Sequence, residues 1–209
     1  MMKSVLAAIA VTAALSQAAS AATIVNGSFE DTIPGGDFVT LNNGSYALTG
    51  WTIGGHSVDF IGSYWQAAAG KNSLDMAGNG LGSVSQLISD LTAGVRYMVT
   101  FAMSGNPDGG LGPKSMLVNA GEDGTYEYTV TGLNSRGQMK WEYKQYFFTA
   151  TGTEQLLTFT ALTTPSTADV YGPGLDDISI IAAVPLPASA PLILAGLGAL
   201  AALRRRRRA

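Results

Sequence analysis

The stretch Tyr97-Met98-Val99-Thr100-Phe101-Ala102-Met103 decides the fold class. Tyr97, Val99, Phe101 and Met103 recur at every second position, so they share one face of an extended chain, whereas helical spacing would scatter them. The same period appears at Tyr126, Tyr128 and Val130, which alternate with Glu127 and Thr129. Further short runs at Ser83 to Ile88, Ser115 to Asn119, Gln145 to Thr149, Gln155 to Ala161 and Leu175 to Ile181 read as strands. Turn signals cut the chain between them: Asn42-Asn43-Gly44, Gly78-Asn79-Gly80, Asn106-Pro107-Asp108-Gly109-Gly110 and Glu122-Asp123-Gly124. Many short strands at such spacing predict an all-β antiparallel sandwich, with little room for helices.

Both ends of the chain read as processing signals and lie outside that sandwich. At the N-terminus, Lys3 precedes an apolar, Ala-rich stretch from Val5 to Leu15, and Ala19-Ser20-Ala21 supplies the small residues a signal peptidase accepts. Residues 1–21 are therefore expected to be a signal peptide, since the apolar run is short of the roughly 20 residues of a membrane span. At the C-terminus, Val184-Pro185-Leu186-Pro187-Ala188 precedes an apolar stretch from Pro191 to Leu203 and five arginines, Arg204 to Arg208. The stretch after Pro191 predicts a hydrophobic helix of about 18 Å, against a hydrocarbon core of about 30 Å; counting back to Ala182 makes a span just possible. The arginines would stay on the cytoplasmic side and leave the domain outside.

This tail resembles the PEP-CTERM class of sorting signals in its Val-Pro-Leu-Pro-Ala variant. The resemblance implies that an exosortase-type membrane protease recognises residues 184–209 and removes or exchanges them, with the tail in the membrane before processing. A basic nucleic-acid-binding arm is the other reading of five arginines, but an apolar stretch and a signal peptide do not suit it.

Removing both ends leaves one domain, residues 22–183, with six Lys and Arg against fifteen Asp and Glu, a formal charge of 6 − 15 = −9. An acidic surface argues against nucleic acid and anionic membranes and suits solubility or cation binding. With no cysteine in the chain, a core must hold the exported domain without disulfides.

Chemistry-bearing residues are sparse. His56 is the sole histidine and sits between Gly55 and Ser57, an ordinary loop position, and no Gly-x-Ser-x-Gly elbow is present. Glycosidase chemistry needs two carboxyl groups facing each other, and Glu122, Asp123 and Glu127 cluster instead near an apparent hairpin turn. The aromatics Trp51, Tyr64, Trp65, Trp141, Tyr143 and Tyr146 can stack on sugar rings, although large rings in a small sandwich belong mostly to its core. Tyr64 and Trp65, between Gly62 and Gly70, are the pair expected to touch a ligand, with Gln86 offering amide donors and acceptors. The Asn-Gly pairs at Asn26 and Asn43 read as turns rather than glycosylation sites.

A set of short motifs runs through the domain in order: Asn26-Gly-Ser-Phe-Glu30, Gly50-Trp51, Val58-Asp59-Phe60-Ile61-Gly62, Trp65, Gly70-Lys-Asn-Ser-Leu-Asp75, Gln86, Gly94-Val-Arg-Tyr97, Gly105-Asn-Pro107, Trp141 and Gly172-Pro-Gly-Leu-Asp-Asp177. In this order they resemble the bacterial choice-of-anchor C family, which is similar to a domain of unknown function of plant cell-wall proteins. The resemblance implies a galactose-binding-like jelly roll, the fold of many carbohydrate-binding modules. The function expected is a non-catalytic domain at the cell surface or in the matrix, with a polysaccharide or matrix component as partner. The rivals are a structural matrix protein that recognises no sugar and a hydrolase.

A structural calcium ion is also expected. Period-two alternation through Leu175 to Ile181 would put Asp176 on the apolar face with Ile178 and Ile180, where a carboxylate must be neutralised. The resemblance implies that the first strand, carrying Glu30, lies beside the last. Glu30 and Asp176, with carbonyls of Gly27 or Ser28 and waters, would supply the oxygens that calcium takes.

Overall fold

The computed structural model describes residues 22–31, 34–162 and 170–183; the signal peptide, the sorting motif Val184 to Ala188 and the hydrophobic tail helix lie outside them. Among the described residues eleven strands follow one another: β1 Phe38–Asn42, β2 Thr52–Gly55, β3 Ser57–Ile61, β4 Ser73–Asp75, β5 Gly82–Ile88, β6 Arg96–Gly105, β7 Gly112–Asn119, β8 Asp123–Val130, β9 Glu142–Thr149, β10 Gln155–Leu162 and β11 Pro173–Ala182. A 3-10 turn at Pro107–Gly109 separates β6 from β7. Every pairing is antiparallel, and the strands form two sheets ordered β1-β3-β4-β11-β6-β9 and β2-β5-β10-β7-β8. This is the all-β sandwich that the alternation predicts.

Tyr97, Val99, Phe101 and Met103 are fully buried between the sheets, facing Trp51, Val84, Val118, Leu157 and Phe159. Phe101 meets the Phe159 ring edge-on at 5.3 Å, so the two sheets interlock through aromatic contacts. A second, smaller cluster of Ile61, Trp65 and Met139, with Tyr64 and Trp141 against it, forms where the loops before β4 and before β9 fold over the first sheet.

One strand departs from its expected pattern. Leu175 pairs with Met103 on the core side and Asp176 with Ala102 on the other, but the register then shifts before Ser179 pairs with Thr100. Three steps along β11 match two along β6, a one-residue bulge, with Asp177 at a φ of 46°. The bulge returns Ile178 and Ile180 to the core while Asp176 faces outward, so Asp176 does not share their face. It also frees the Ile178 N–H, which donates to Gly27 O at 2.9 Å. The N-terminal segment thus lies beside the last strand, as the resemblance implies, though as a turn rather than a strand.

Candidate functional site

The segment between β3 and β4 lacks periodicity, and side chains from both ends of the domain hold it in place. Asp176 Oδ2 accepts hydrogen bonds from Ala68 N at 2.7 Å and Ala69 N at 2.9 Å, and its Oδ1 accepts from Asp177 N at 2.7 Å. Glu30 Oε1 accepts from Lys71 N at 2.8 Å and Asn72 N at 2.7 Å, while Asn72 Nδ2 donates to Phe29 O at 3.0 Å. Gly70 stands between the two anchors at a φ of +65°, and a Cβ there would collide with the Glu30 carboxyl, so glycine is required twice over. Asp176 is fully buried, and burial pushes its pKa up to about 7 against the pull of its backbone donors.

The two aromatics of this segment are both engaged. Trp65 is 4% exposed, packs on Ile61 and Met139, and donates its Nε1–H to Ser73 Oγ at 2.8 Å. Tyr64 is half-buried; its hydroxyl donates to Asp108 Oδ2 at 2.8 Å, and the Arg136 guanidinium covers one ring face at 4.0 Å from the centroid. Arg136 also pairs with Asp108 at 2.9 Å. Burial and the adjacent Asp108 raise the Tyr64 pKa, which keeps the hydroxyl a donor. Trp141 Nε1 donates to Gln66 O at 2.9 Å and ties the segment to the loop before β9.

Beside Trp65 the surface sinks into a depression of about 520 Å³. Pro34, Trp65 and Ala67 give it apolar walls, and Ser63, Gln66 and Lys71 stand among its polar lining. Its size falls within the range of small-ligand sites. Of the residues expected at a site, Glu30, Tyr64, Trp65 and Asp176 come together around this one segment, and Trp65 floors the depression. Gln86 does not join them: on the second sheet, its Oε1 accepts from Val25 N at 2.8 Å and its Nε2 donates to Val25 O and Gly50 O, both at 2.9 Å. Pro34 and Gln66 carry no periodic or motif signal in the sequence, and Lys71 is marked there only as a member of the Gly70 to Asp75 motif.

The carboxylates expected to hold calcium both accept backbone N–H groups. Asp176 accepts three of them and Glu30 two. Among the described residues no group of three or more His, Asp or Glu side chains gathers as a metal site.

A second polar cluster lies at the edge of the sandwich. Asp75, 1% exposed, accepts from Ala77 N at 3.0 Å and Gly172 N at 2.9 Å on Oδ1, and from Asn106 Nδ2 at 2.7 Å on Oδ2. Three motifs of the ordered set meet at this carboxylate, a convergence that spacing alone did not reveal. Burial pushes its pKa up to about 7. Its cross-strand neighbour Asp59, also raised by burial, accepts from Thr40 Oγ1 at 2.6 Å.

Residues 22–181 match the family described as "Protein of unknown function (DUF642)". The chain belongs to that family. Residues 183–208 match the PEP-CTERM protein-sorting motif, which marks this DUF642 chain as exported and membrane-associated, with exosortase processing implied. The match does not reach the narrower choice-of-anchor C grouping. A curated relative, Halomucin of Haloquadratum walsbyi, is 32% identical over an alignment of 183 residues that covers 81% of this chain and 2% of Halomucin, so the chain spans a small fraction of that relative's length.

Several solved structures are similar at low identity. A family 35 carbohydrate-binding module from Clostridium thermocellum is 13% identical over 69% of this chain and 99% of its own, with a TM-score of 0.44. A xylan-binding domain from Paenibacillus barcinonensis is 18% identical over 74% and 100%, at 0.42. An exo-β-1,3-galactanase from Phanerochaete chrysosporium is 18% identical over 69% of this chain and 29% of its own, at 0.43. Scores at this level bear on neither ligand nor site.

Proposed function

We propose that this DUF642 domain is a non-catalytic binding module for a polysaccharide or matrix component, displayed outside the cell after residues 1–21 and the tail 184–209 have served export and sorting. The observation that carries this reading is the depression beside Trp65, whose backbone is fixed by the Glu30 and Asp176 carboxylates before any ligand arrives. A wall already ordered loses little conformational freedom on binding, so its contacts appear as affinity. Hydroxyl-rich ligands suit a rim of amide, hydroxyl and ammonium groups over an apolar floor.

A non-catalytic role is supported by the placement of the carboxyls whose pKa burial raises most clearly. Asp59 and Asp75 stand side by side on β3 and β4 instead of facing each other across a cleft, and Asp75 is sealed from solvent. Asp176 is equally sealed. The test is a polysaccharide pull-down and glycan array with the full chain, alongside Lys71→Ala and Gln66→Ala. Binding weakened by either substitution supports the reading; no binding to any polymer removes it.

A structural matrix protein without sugar recognition is the second reading. It draws on Leu87 and Leu156, cross-strand partners 58% and 53% exposed on the outer face of the second sheet, an apolar pair suited to self-association. Concentration-dependent assembly lost in Leu87→Ser, with no polymer bound, would favour it.

A further inference from the structure

Beyond the bulge in β11, the outer face of the first sheet carries an apolar row that the binding reading does not use. Ile181 stands opposite Met98 on β6, and Met98 stands opposite Phe147 on β9. Their chain neighbours Ile180, Val99 and Phe148 fill the core, so these three side chains point outward. Ile181 is 56% exposed, and Met98 and Phe147 are half-buried. The adjacent row on the same face, Gln145, Thr100 and Ser179, is neutral. The charge beside the apolar row is positive, with the Arg96 guanidinium 4.7 Å from the centroid of the Phe147 ring. Glu122, at the border, is turned to the edge of β9, where it accepts from Thr149 N at 3.3 Å. With six Lys and Arg against fifteen Asp and Glu in the domain, this end of the sheet reverses the overall charge.

The row also stands at the exit to the tail. Ala183 N donates to Arg96 O at 2.7 Å, so the chain stays bonded to β6 up to the first residue of the matched sorting motif. From Ala183 to Pro191, where the apolar stretch of the tail begins, eight residues span at most about 28 Å. A domain of this size has a radius of gyration of about 15 Å, so such a tether does not let every face reach lipid equally.

We propose that this row is a membrane-facing surface: Ile181, Met98 and Phe147 enter the headgroup region of the phospholipid bilayer that holds the tail, and Arg96 pairs with lipid phosphate. The inference rests on the membrane association that the sorting motif marks, and not on polymer binding. Apolar side chains gain by leaving water at the interface, and a guanidinium beside them keeps its charge at the level of the phosphates. The contact need not be tight, because a short tether holds the domain at a high effective concentration. Anionic lipid repels the acidic remainder of the surface, so charge favours the same orientation.

The chain has no cysteine, so one introduced residue carries the only label. The test uses the full chain reconstituted in vesicles of phosphatidylethanolamine and phosphatidylglycerol, with a fluorophore on Gln145→Cys or on Thr125→Cys, the latter exposed on β8 of the second sheet. A phospholipid bearing a nitroxide at its headgroup should quench the label at position 145 several-fold more than the label at position 125. Ile181→Asp should remove that difference and, as a change at an exposed position, leave the melting temperature where it was. Flotation with the vesicles reports tail anchorage separately. A chain that floats with equal quenching at the two positions overturns the docking face, and a chain that does not float overturns it by removing the bilayer. Energy transfer between copies labelled at position 145, without nitroxide quenching, assigns the row to a second copy and overturns the proposal too. Polymer binding enters none of these readouts, so failure here leaves the binding reading standing.

Discussion

Asp176 and Ala68 are 108 positions apart in the chain and meet at 2.7 Å, carboxylate to backbone N–H. That bond and its neighbour at Ala69 are possible because the bulge at Asp177 turns Asp176 away from the core and toward the segment it anchors. Replacing Asp176 with Asn puts an amide NH₂ among N–H donors. A loss of about 1 to 3 kcal/mol is expected for a buried acceptor lost to such a change. Amide exchange at Ala68 and Ala69 should accelerate together with weaker polymer binding. Unchanged exchange at those two amides would mean that another contact holds the segment.

Calcium is the alternative anchor, and it is directly measurable. Because Asp176 already accepts three backbone N–H groups, a chelator should leave the melting temperature of the domain unchanged. A ligand that binds only the folded state would raise that temperature by mass action. A fall on chelation, reversed by calcium and absent in Asp176→Asn, would instead place the ion at Glu30 and Asp176.

Trp65 and Lys71 line the same depression and should respond in opposite ways. Trp65 is buried with its indole N–H satisfied by Ser73, so Trp65→Ala should cost about 3 to 5 kcal/mol of stability, visible as a large drop in melting temperature. The Lys71 side chain is exposed, and its role in the loop is played by its backbone N–H, which alanine keeps. Lys71→Ala should therefore melt with the wild type and bind polymer less well. Gln86→Ala should resemble Trp65→Ala in kind, since its amide spans Val25 and Gly50, with stability falling and no specific loss of binding.

What the sequence disclosed follows from where periodicity operates. Strands β5 to β11 carry runs long enough for alternation to show, and each was legible in part. Strands β1 to β4 are three to five residues long, and β4, buried along its whole length, shows no alternation at all. The bulge in β11 was invisible because Asp177 is not a glycine, so nothing marked its positive φ. That one residue reversed the side on which Asp176 was expected. Tyr64 and Trp65 were legible as a pair between two glycines, but their occupation by Asp108, Arg136 and Ser73 depends on contacts from distant segments.

Buried carboxyls give the last prediction its sign. Asp75 and Asp176 have an ordinary pKa of 3.8, and in the folded domain burial pushes each up to about 7. Between those values the folded chain keeps protons that the unfolded chain has released, so stability must fall as pH rises across that window and level off above it. Repulsion among the excess carboxylates on the surface changes in the same direction, but salt near 1 M shortens its reach to about 3 Å and leaves buried groups largely untouched. Melts in high salt at about pH 5 and about pH 8 should therefore still show the lower temperature at the higher pH. Asp75→Asn cannot ionise; its starting stability drops because its NH₂ faces the Asn106 amide, but its slope against pH should be shallower than that of the wild type. A wild-type melting temperature that rises between the two pH values, or an unchanged slope in Asp75→Asn, would show that these carboxyls are ionised as readily inside the domain as in the open chain.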